Sequence, residues 1–409
     1  MRSVDEHLAT VLAGVQELPP FEQNLLDAHG CTLAEDVAST IDLPSFDNSA
    51  MDGYAVRAQD VASASEDSPV VLPVVGDIAA GDTRAHALAP GHALRIMTGA
   101  PVPTGADAVI PVEWTDGGVA KVTIRRAPAD NRYIRRRGED VTAGQPLLTA
   151  GTPLDARQIA MLAAAGRSRV RVRPRPRVVV LSTGSELRDP GEPLPYGTIY
   201  DANSFALAAA AKEAGAIPYR VGVVPDDEST FLAVLEEQLV RADLVVTSGG
   251  VSVGAYDIVK HALQRLGQVE FSRVAMQPGM PQGFGTIGAD DTPIFTLPGN
   301  PVSAYVSFLV FVRPALRKMI GAEPYTVPSV PATVRSGWRS PAGRRQYSRV
   351  EYALGEDGRG EISPAGGPGS HLVAGLARAN ALAIVPEHVT DVAPGTTLDV
   401  MVLDTRALP

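Results

Sequence analysis

Residues 177–320 alternate short apolar runs with helical stretches, and that alternation restricts this chain more than any other feature. Arg177-Val-Val-Val-Leu181 reads as a strand, Phe205 to Ala214 as an Ala-rich helix closed by Gly215, and Ile217 to Val224 as the next strand. Thr230 to Leu239 reads as a helix, Leu244-Val-Val-Thr247 as a strand and Ile258 to Leu266 as a helix. Val269 to Ala275 and Ile294-Phe-Thr-Leu297 are further strands, followed by a long helix over Val302 to Ile320. A helix between successive strands gives the crossover that parallel pairing needs, so a doubly wound, mostly parallel sheet with helices on both faces is expected. Such sheets bind ligands beyond the C-terminal ends of their strands.

Several of those ends carry segments suited to an anion. Thr247-Ser-Gly-Gly-Val-Ser-Val-Gly-Ala-Tyr-Asp257 follows the run Ala242 to Val246. Its adjacent glycines, Gly249 and Gly250, permit a tight turn and close approach of backbone to ligand. Amides freed there donate to phosphate, and Asp257 adds a carboxylate of the kind a Mg²⁺ ion beside a phosphate needs. The same residues also make an ordinary Gly-rich connection. In Leu181-Ser-Thr-Gly-Ser-Glu-Leu187, Ser182, Thr183 and the backbone at Gly184 can contact phosphate and Glu186 can ligate a metal, or Ser and Thr simply cap a turn. Asp226 and Asp227 follow the strand ending at Val224. They either cap the helix carrying Phe231 and Leu232 or bring a carboxylate toward Glu186 and Asp257. In Leu297-Pro-Gly-Asn-Pro-Val-Ser303, Asn300 suits the N-cap and Pro301 the first helical position, leaving Gly299 and Ser303 at a helix N-terminus able to hold an oxyanion.

Elsewhere the pattern changes. Val4, Leu8, Leu12 and Val15 fall at helical spacing until Pro19-Pro20, and Phe21 to Ala28 reads as a second helix ending at Gly30. Residues 44–140 carry short β runs, among them Val70 to Val75, His92 to Met97, Ala108 to Ile110 and Val119 to Ile124, and read as a mostly β module. Arg167 to Arg177 is basic and proline-rich, an anion-binding surface or, preferred, an exposed edge strand. Leu382 to Pro386 and Leu398 to Leu403 mark a small C-terminal β domain. The expected division is therefore 1–43 with 141–176 as an N-terminal, linking domain, 44–140 as an inserted β module, 177–322 as the α/β domain and 323–409 as the C-terminal β domain.

Composition narrows the function. A chain of 409 residues exceeds one ordinary core. Its net charge of -10 argues against a general nucleic-acid binder, so an anionic ligand must be met by local basic groups, helix termini or a metal. Cys31 is the only cysteine, which excludes an internal disulfide and a cysteine zinc cluster. No signal-peptide pattern and no bilayer-spanning run is evident, so a cytoplasmic location is expected.

Taken together and in order, these segments resemble the molybdopterin molybdenumtransferase family (MoeA). The resemblance runs from Phe46-Asp-Asn-Ser-Ala-Met-Asp-Gly-Tyr-Ala-Val56 through Arg95-Ile-Met-Thr-Gly-Ala-Pro-Val-Pro103, Arg135-Arg-Arg-Gly-Glu-Asp-Val141, Ser182 to Leu187, Thr247 to Asp257 and Leu297 to Ser303, to Gly369-Ser-His371. It implies an enzyme that takes adenylylated molybdopterin and molybdate, cleaves the AMP anhydride with Mg²⁺ and inserts molybdenum. It also implies a homodimer and a central domain like molybdopterin adenylyltransferase. By matching position it implies catalytic roles for Asp52, Thr98, Asp140, Glu186, Asp226 and Asp257, with the last three as metal ligands. Substrate binding is implied for Thr183, Gly184, Ser248, Gly249, Gly250, Ser252, Gly299, Asn300, Ser303, Arg349 and Ser370, of which Ser303, Arg349 and Ser370 form an oxyanion group. Met276-Gln-Pro-Gly-Met-Pro281 departs from the family's Lys-Pro-Gly-Lys-Pro, with Gln277 and Met280 where cations are expected, while Met276 and Met280 otherwise read as core filler. A non-catalytic molybdopterin-binding or scaffold protein is the alternative.

Overall fold

The expected alternation forms a six-stranded sheet in the computed structural model, which describes residues 1–128, 133–249, 262–263 and 265–403. Strand order is Ile217–Val224, Arg177–Thr183, Leu244–Ser248, Thr292–Leu297, Pro281–Ile287, Gly267–Arg273. The first four are parallel, and Pro281–Ile287 runs antiparallel to both of its neighbours. Sequence reading missed Pro281–Ile287, because glycines break its apolar pattern. The strand needs them: a Cβ on Gly285 would lie 1.9 Å from the Gln268 carbonyl oxygen of the neighbouring strand.

The central strands are buried on both faces, which is why they read as unbroken apolar runs. Val178, Val180, Leu244 and Val246 face one core, with Val306, Phe308 and Phe311 of the long helix. Val179, Leu181 and Val245 face the other, with Phe231 and Leu235 of the helix Glu228–Leu239. The long helix runs as Pro301–Ser307, a π turn over Phe308–Val312, and Arg313–Met319. The N-terminal helix Val4–Gly14 opens with a capping box: Ser3 Oγ accepts from the Glu6 amide (3.2 Å) and Glu6 accepts from the Ser3 amide (2.8 Å).

Two expectations are corrected here. Phe21 to Ala28 is not a helix; Phe21–Asn24 is a strand followed by turns. With Leu26 79% exposed, the segment has no apolar face to bury, and Arg169–Arg173 supplies its backbone partners. That arginine strand is in turn no edge: it lies between Phe21–Asn24 and Thr32–Leu33. Its charges are absorbed locally. Arg173 pairs with Glu17 and donates to the Leu18 carbonyl, Arg175 donates to the Gly215 and Ala216 carbonyls, and Arg177 pairs with Asp243.

The C-terminal strands close a five-stranded barrel: Arg345–Leu354, Gly360–Pro364, Ser329–Val334, Thr397–Val402, Ala381–Val385 and back to Arg345–Leu354. Met276–Gln277 joins it in parallel beside Arg345 and Gln346. The α/β sheet and this barrel belong to one compact unit with residues 1–34 and 151–155, while residues 35–150 and 156–169 form another. The second unit holds a five-stranded sheet ordered Ala108–Pro111, Gly53–Val56, Ala93–Ile96, Val70–Ile78, Lys121–Ile124, as its β-type runs predict. Among the described residues, no helix is long and apolar enough to cross a membrane.

His7 anchors the N-terminal helix edge-on to Phe311 at 4.7 Å and is 2% exposed. Burial, helped by the nearby Arg2 charge, pulls its pKa down to about 4. The unfolded chain protonates near its ordinary value, so this site's stability is complete above about pH 6.5 and is lost as pH falls toward 4. Urea unfolding should show a decline of about 3 kcal/mol over that window, and His7→Leu should remove it.

Candidate functional site

Four parallel strands end side by side, and the residues that follow them converge. The Gly184 amide donates to the Val224 carbonyl (3.2 Å), and the Gly249 amide to the Leu297 carbonyl (3.3 Å). Gly249 has φ +89°, and a Cβ there would lie 2.3 Å from the Thr183 carbonyl oxygen. A Cβ on Gly299 would come to 3.5 Å from the Gly249 Cα. Glycine is thus required at Gly249, where the backbones of neighbouring strand ends pack against one another. Gly250, Ser252 and Asp257 lie outside the described residues. Ser248, predicted to touch substrate, is 1% exposed, as is Ser182, and their hydroxyls meet at 2.9 Å. They support the loops from beneath.

The structure separates Asp226 from Asp227. Asp227 caps the helix Glu228–Leu239, accepting from the Thr230 amide (2.8 Å) and from the Ser229 and Thr230 hydroxyls. Those hydrogen bonds, Ser229 first, lower its pKa to about 2. Asp226 instead turns to the first strand-end loop: it accepts from the Ser185 amide (3.1 Å), and Ser185 Oγ accepts from the Asp226 amide (3.3 Å). Glu186 folds over the same turn, where a Cβ on Gly184 would meet its Oε2 at 2.6 Å. Glu186 and Asp226 therefore flank one Gly184–Ser185 turn. Among the described residues no three His, Cys, Asp or Glu side chains cluster as a metal site.

Asn300 precedes the long helix as expected, but its side chain does not cap it. Its Nδ2 donates to Ser370 Oγ (3.0 Å), and the Val302 amide donates to the Ser370 carbonyl (3.1 Å). Two predicted residues are thereby joined, with Ser303 buried on the helix's first turn. The same 367–372 segment is held by Arg349, which is 6% exposed and donates to the carbonyls of Leu372 (2.6 Å), Gly369 (3.0 Å) and Gly367. Burial lowers its pKa, and among the described residues no carboxylate pairs with it. It lines a cavity of about 210 Å³ with Gln277, Val302, Trp338, Arg339 and Gly367. Met276 is core, as expected, but Met280 is not: it is half-buried, with its sulfur against Arg273 rather than in the apolar cluster. The positions lacking the expected lysines are not without cations. Arg344 Nη1 reaches Gln277 Oε1 at 3.5 Å, and the Arg273 guanidinium lies 3.2 Å from Met280 Sδ.

In the β unit, Asp52 and Thr98 are brought together: Asp52 Oδ1 accepts from the Thr98 amide (2.6 Å) and hydroxyl (2.8 Å). Those two bonds, the amide first, lower the Asp52 pKa. Asp140 is tied by its amide to the Leu43 carbonyl (3.0 Å), and no described hydrogen bond links it to Asp52 or Thr98. Of the arginine run, Arg136 pairs with Asp47 (2.6 Å) and Arg137 with Asp42 (2.5 Å), so these two are not free donors.

Sequence reading passed over Asp201 and Asn203. The Oδ1 of buried Asp201 accepts from Ser182 Oγ (2.9 Å), and Asn203 Nδ2 donates to the Gly299 carbonyl (2.6 Å). Their one sequence signal is the polar Asp-Ala-Asn-Ser that opens the helix Asn203–Glu213.

An α/β sheet with Gly-rich turns and paired carboxylates at its strand ends, fused to a barrel carrying a buried arginine, defines a class of multidomain α/β proteins whose strand ends suit an anionic ligand. Three family models match the chain: "MoeA N-terminal region (domain I and II)" over residues 2–166, "Probable molybdopterin binding domain" over 179–318, and "MoeA C-terminal region (domain IV)" over 331–403. Molybdopterin molybdenumtransferase 2 of Mycobacterium tuberculosis is 49% identical over 407 residues, covering 98% of this chain and 99% of the relative. The molybdopterin molybdenumtransferase of Haemophilus influenzae is 37% identical over 92% of each. A crystal structure of the molybdopterin biosynthesis MoeA protein from Pyrococcus horikoshii OT3 superimposes with TM-score 0.78 at 31% identity, covering 98% of this chain and 100% of that one. The chain belongs to the molybdopterin molybdenumtransferase (MoeA) family, a family of transferases.

The two aspartates give a contrast that calorimetry can read. Asp227→Ala should lower the melting temperature by a few degrees at neutral pH through the lost cap, whereas Asp226→Ala should leave it near wild type. Because Asp227 has its pKa lowered to about 2, its contribution is present above about pH 4. The gap between wild type and Asp227→Ala should close as pH falls through 2.

Proposed function

We propose that this chain inserts molybdenum into adenylylated molybdopterin, with Mg²⁺-dependent cleavage of the AMP anhydride, giving molybdenum cofactor and AMP. The observation that carries the reading is the convergence of Gly184, Gly249 and Gly299 at adjacent strand ends, with Glu186 and Asp226 on one turn. The names of the relatives, molybdopterin molybdenumtransferases, support it.

The residues fit a magnesium ion. Mg²⁺ takes oxygen ligands, commonly one or two carboxylates completed by phosphate and water, and Asp226 and Glu186 offer carboxylates beside turn amides. Asp257 is proposed as a further ligand. When bound, the ion would neutralise charge on the anhydride. The loop amides orient the phosphates, water adds to phosphorus, and AMP leaves with its bond to the pterin phosphate broken. This is catalysis by positioning and charge stabilisation. Molybdate is proposed to occupy the cavity at Arg349, whose cationic head has no paired carboxylate among the described residues. The reading includes a homodimer, with Asp52, Thr98 and Asp140 serving the reaction, and a cytoplasmic location.

The test supplies purified protein with adenylylated molybdopterin, Mg²⁺ and molybdate. AMP and molybdenum cofactor should form together. Asp226→Ala and Glu186→Ala should each slow AMP release about a hundredfold, the usual cost of removing a preorganised electrostatic group. Wild-type protein that binds the substrate yet releases no AMP would overturn the enzyme reading in favour of a binding or scaffold protein.

A further inference from the structure

One short turn reaches two strand ends directly and a third through the Ser182 hydroxyl. Asp201 is 1% exposed, and every group around its carboxylate is a donor. Oδ1 accepts from Ser182 Oγ (2.9 Å) and the Ser204 amide (3.0 Å), and Oδ2 accepts from Ser204 Oγ. Arg220 Nη1 donates to Ser204 Oγ (3.2 Å), lies 3.8 Å from Asp201 Oδ2 and also pairs with Asp189 (2.9 Å). Two residues on, Asn203 Nδ2 donates to the Gly299 carbonyl.

The hydroxyl chain has one direction. A carboxylate only accepts, so Ser182 spends its single proton on Asp201. In the 2.9 Å Ser182–Ser248 contact the donor must then be Ser248. Both protons are committed, and neither hydroxyl can donate to a phosphate oxygen. A phosphate at these strand ends must be met by loop amides, whose usefulness depends on their mutual spacing.

We propose that Asp201 and Asn203 are positioning residues that set this spacing, clamping the strand end at Thr183 directly, the one at Ser248 through Ser182, and the one at Leu297 through Gly299. A helix cap accounts for the bond to the Ser204 amide alone. It accounts for neither the bond from Ser182 nor that to Gly299. The inference rests on the reading of these loops as the site of the pterin phosphate.

The experiment uses the full chain and molybdopterin as probe, with binding followed by fluorescence. Asn203→Ala should weaken binding about tenfold, the scale of one lost hydrogen bond. Asp201→Asn and Ser182→Ala should each weaken it by several-fold, and their double variant should be no worse than Asp201→Asn, because both break one chain. In AMP release, KM should rise while kcat stays near wild type, the pattern of lost ground-state positioning. Asn380→Ala serves as the stability control. It removes two bonds to Tyr352 in the barrel (2.6 and 2.9 Å) and should lower the melting temperature while binding as wild type does. Hydrogen exchange at the Gly299, Asn300 and Val302 amides should accelerate in Asn203→Ala. Affinities within twofold of wild type for Asn203→Ala and Asp201→Asn, or losses that merely track melting temperature, would overturn the clamp. If wild type itself fails to bind molybdopterin, the reading of the site falls. The clamp is then judged by exchange, and unchanged exchange at the Gly299, Asn300 and Val302 amides overturns it.

Discussion

Everything in the candidate site hangs from the pairing of Arg177–Thr183 with Leu244–Ser248, two parallel strands buried on both faces. Neither strand can slip by a residue without exchanging the side chains of two cores. Their ends are therefore fixed to within a hydrogen bond, and so are Gly184 and Gly249. The flanking parallel strands bring Asp226 and Gly299 to the same edge. A site made of backbone amides needs this rigidity, since amides cannot reorient as long side chains can.

Charge is handled locally. The chain carries a net -10, yet the substrates proposed for it are anions. Several of the conspicuous basic residues are neutralised by carboxylates, as Arg173, Arg177, Arg136 and Arg137 illustrate. Arg349 differs because its partners are carbonyls, which orient the guanidinium without cancelling its charge. Around Gln277 and Met280, cationic character comes from Arg344 and Arg273 on neighbouring segments. Positive charge at such a position need not come from the residue that occupies it.

What was legible in the sequence follows from the range of the interactions. Strands buried on two faces announce themselves as apolar runs, so Arg177–Thr183 and Leu244–Ser248 were readable, and with them the strand-end loops. Pro281–Ile287 was not, because close cross-strand approach puts glycine where β-branched residues would have signalled a strand. Phe21–Asn24 had helical spacing without a helical face, and only its pairing with Arg169–Arg173 decides its form. Asp226 and Asp227 are indistinguishable as neighbours in sequence; the Ser185 turn claims one and the following helix the other. The bonds from Asn203 to Gly299 and from Asn300 to Ser370 span 96 and 70 residues, and no local pattern encodes them.

The most direct measurement is the position of molybdopterin in a crystal structure of its complex with this protein. The account places the terminal phosphate at the edge between the Gly184–Ser185 turn and the Gly299 loop, within hydrogen-bonding distance of the Gly299 loop amides, with Glu186 and Asp226 alongside. A pterin phosphate seated instead in the separate cavity beside Tyr305, Leu309 and Arg313 would contradict it.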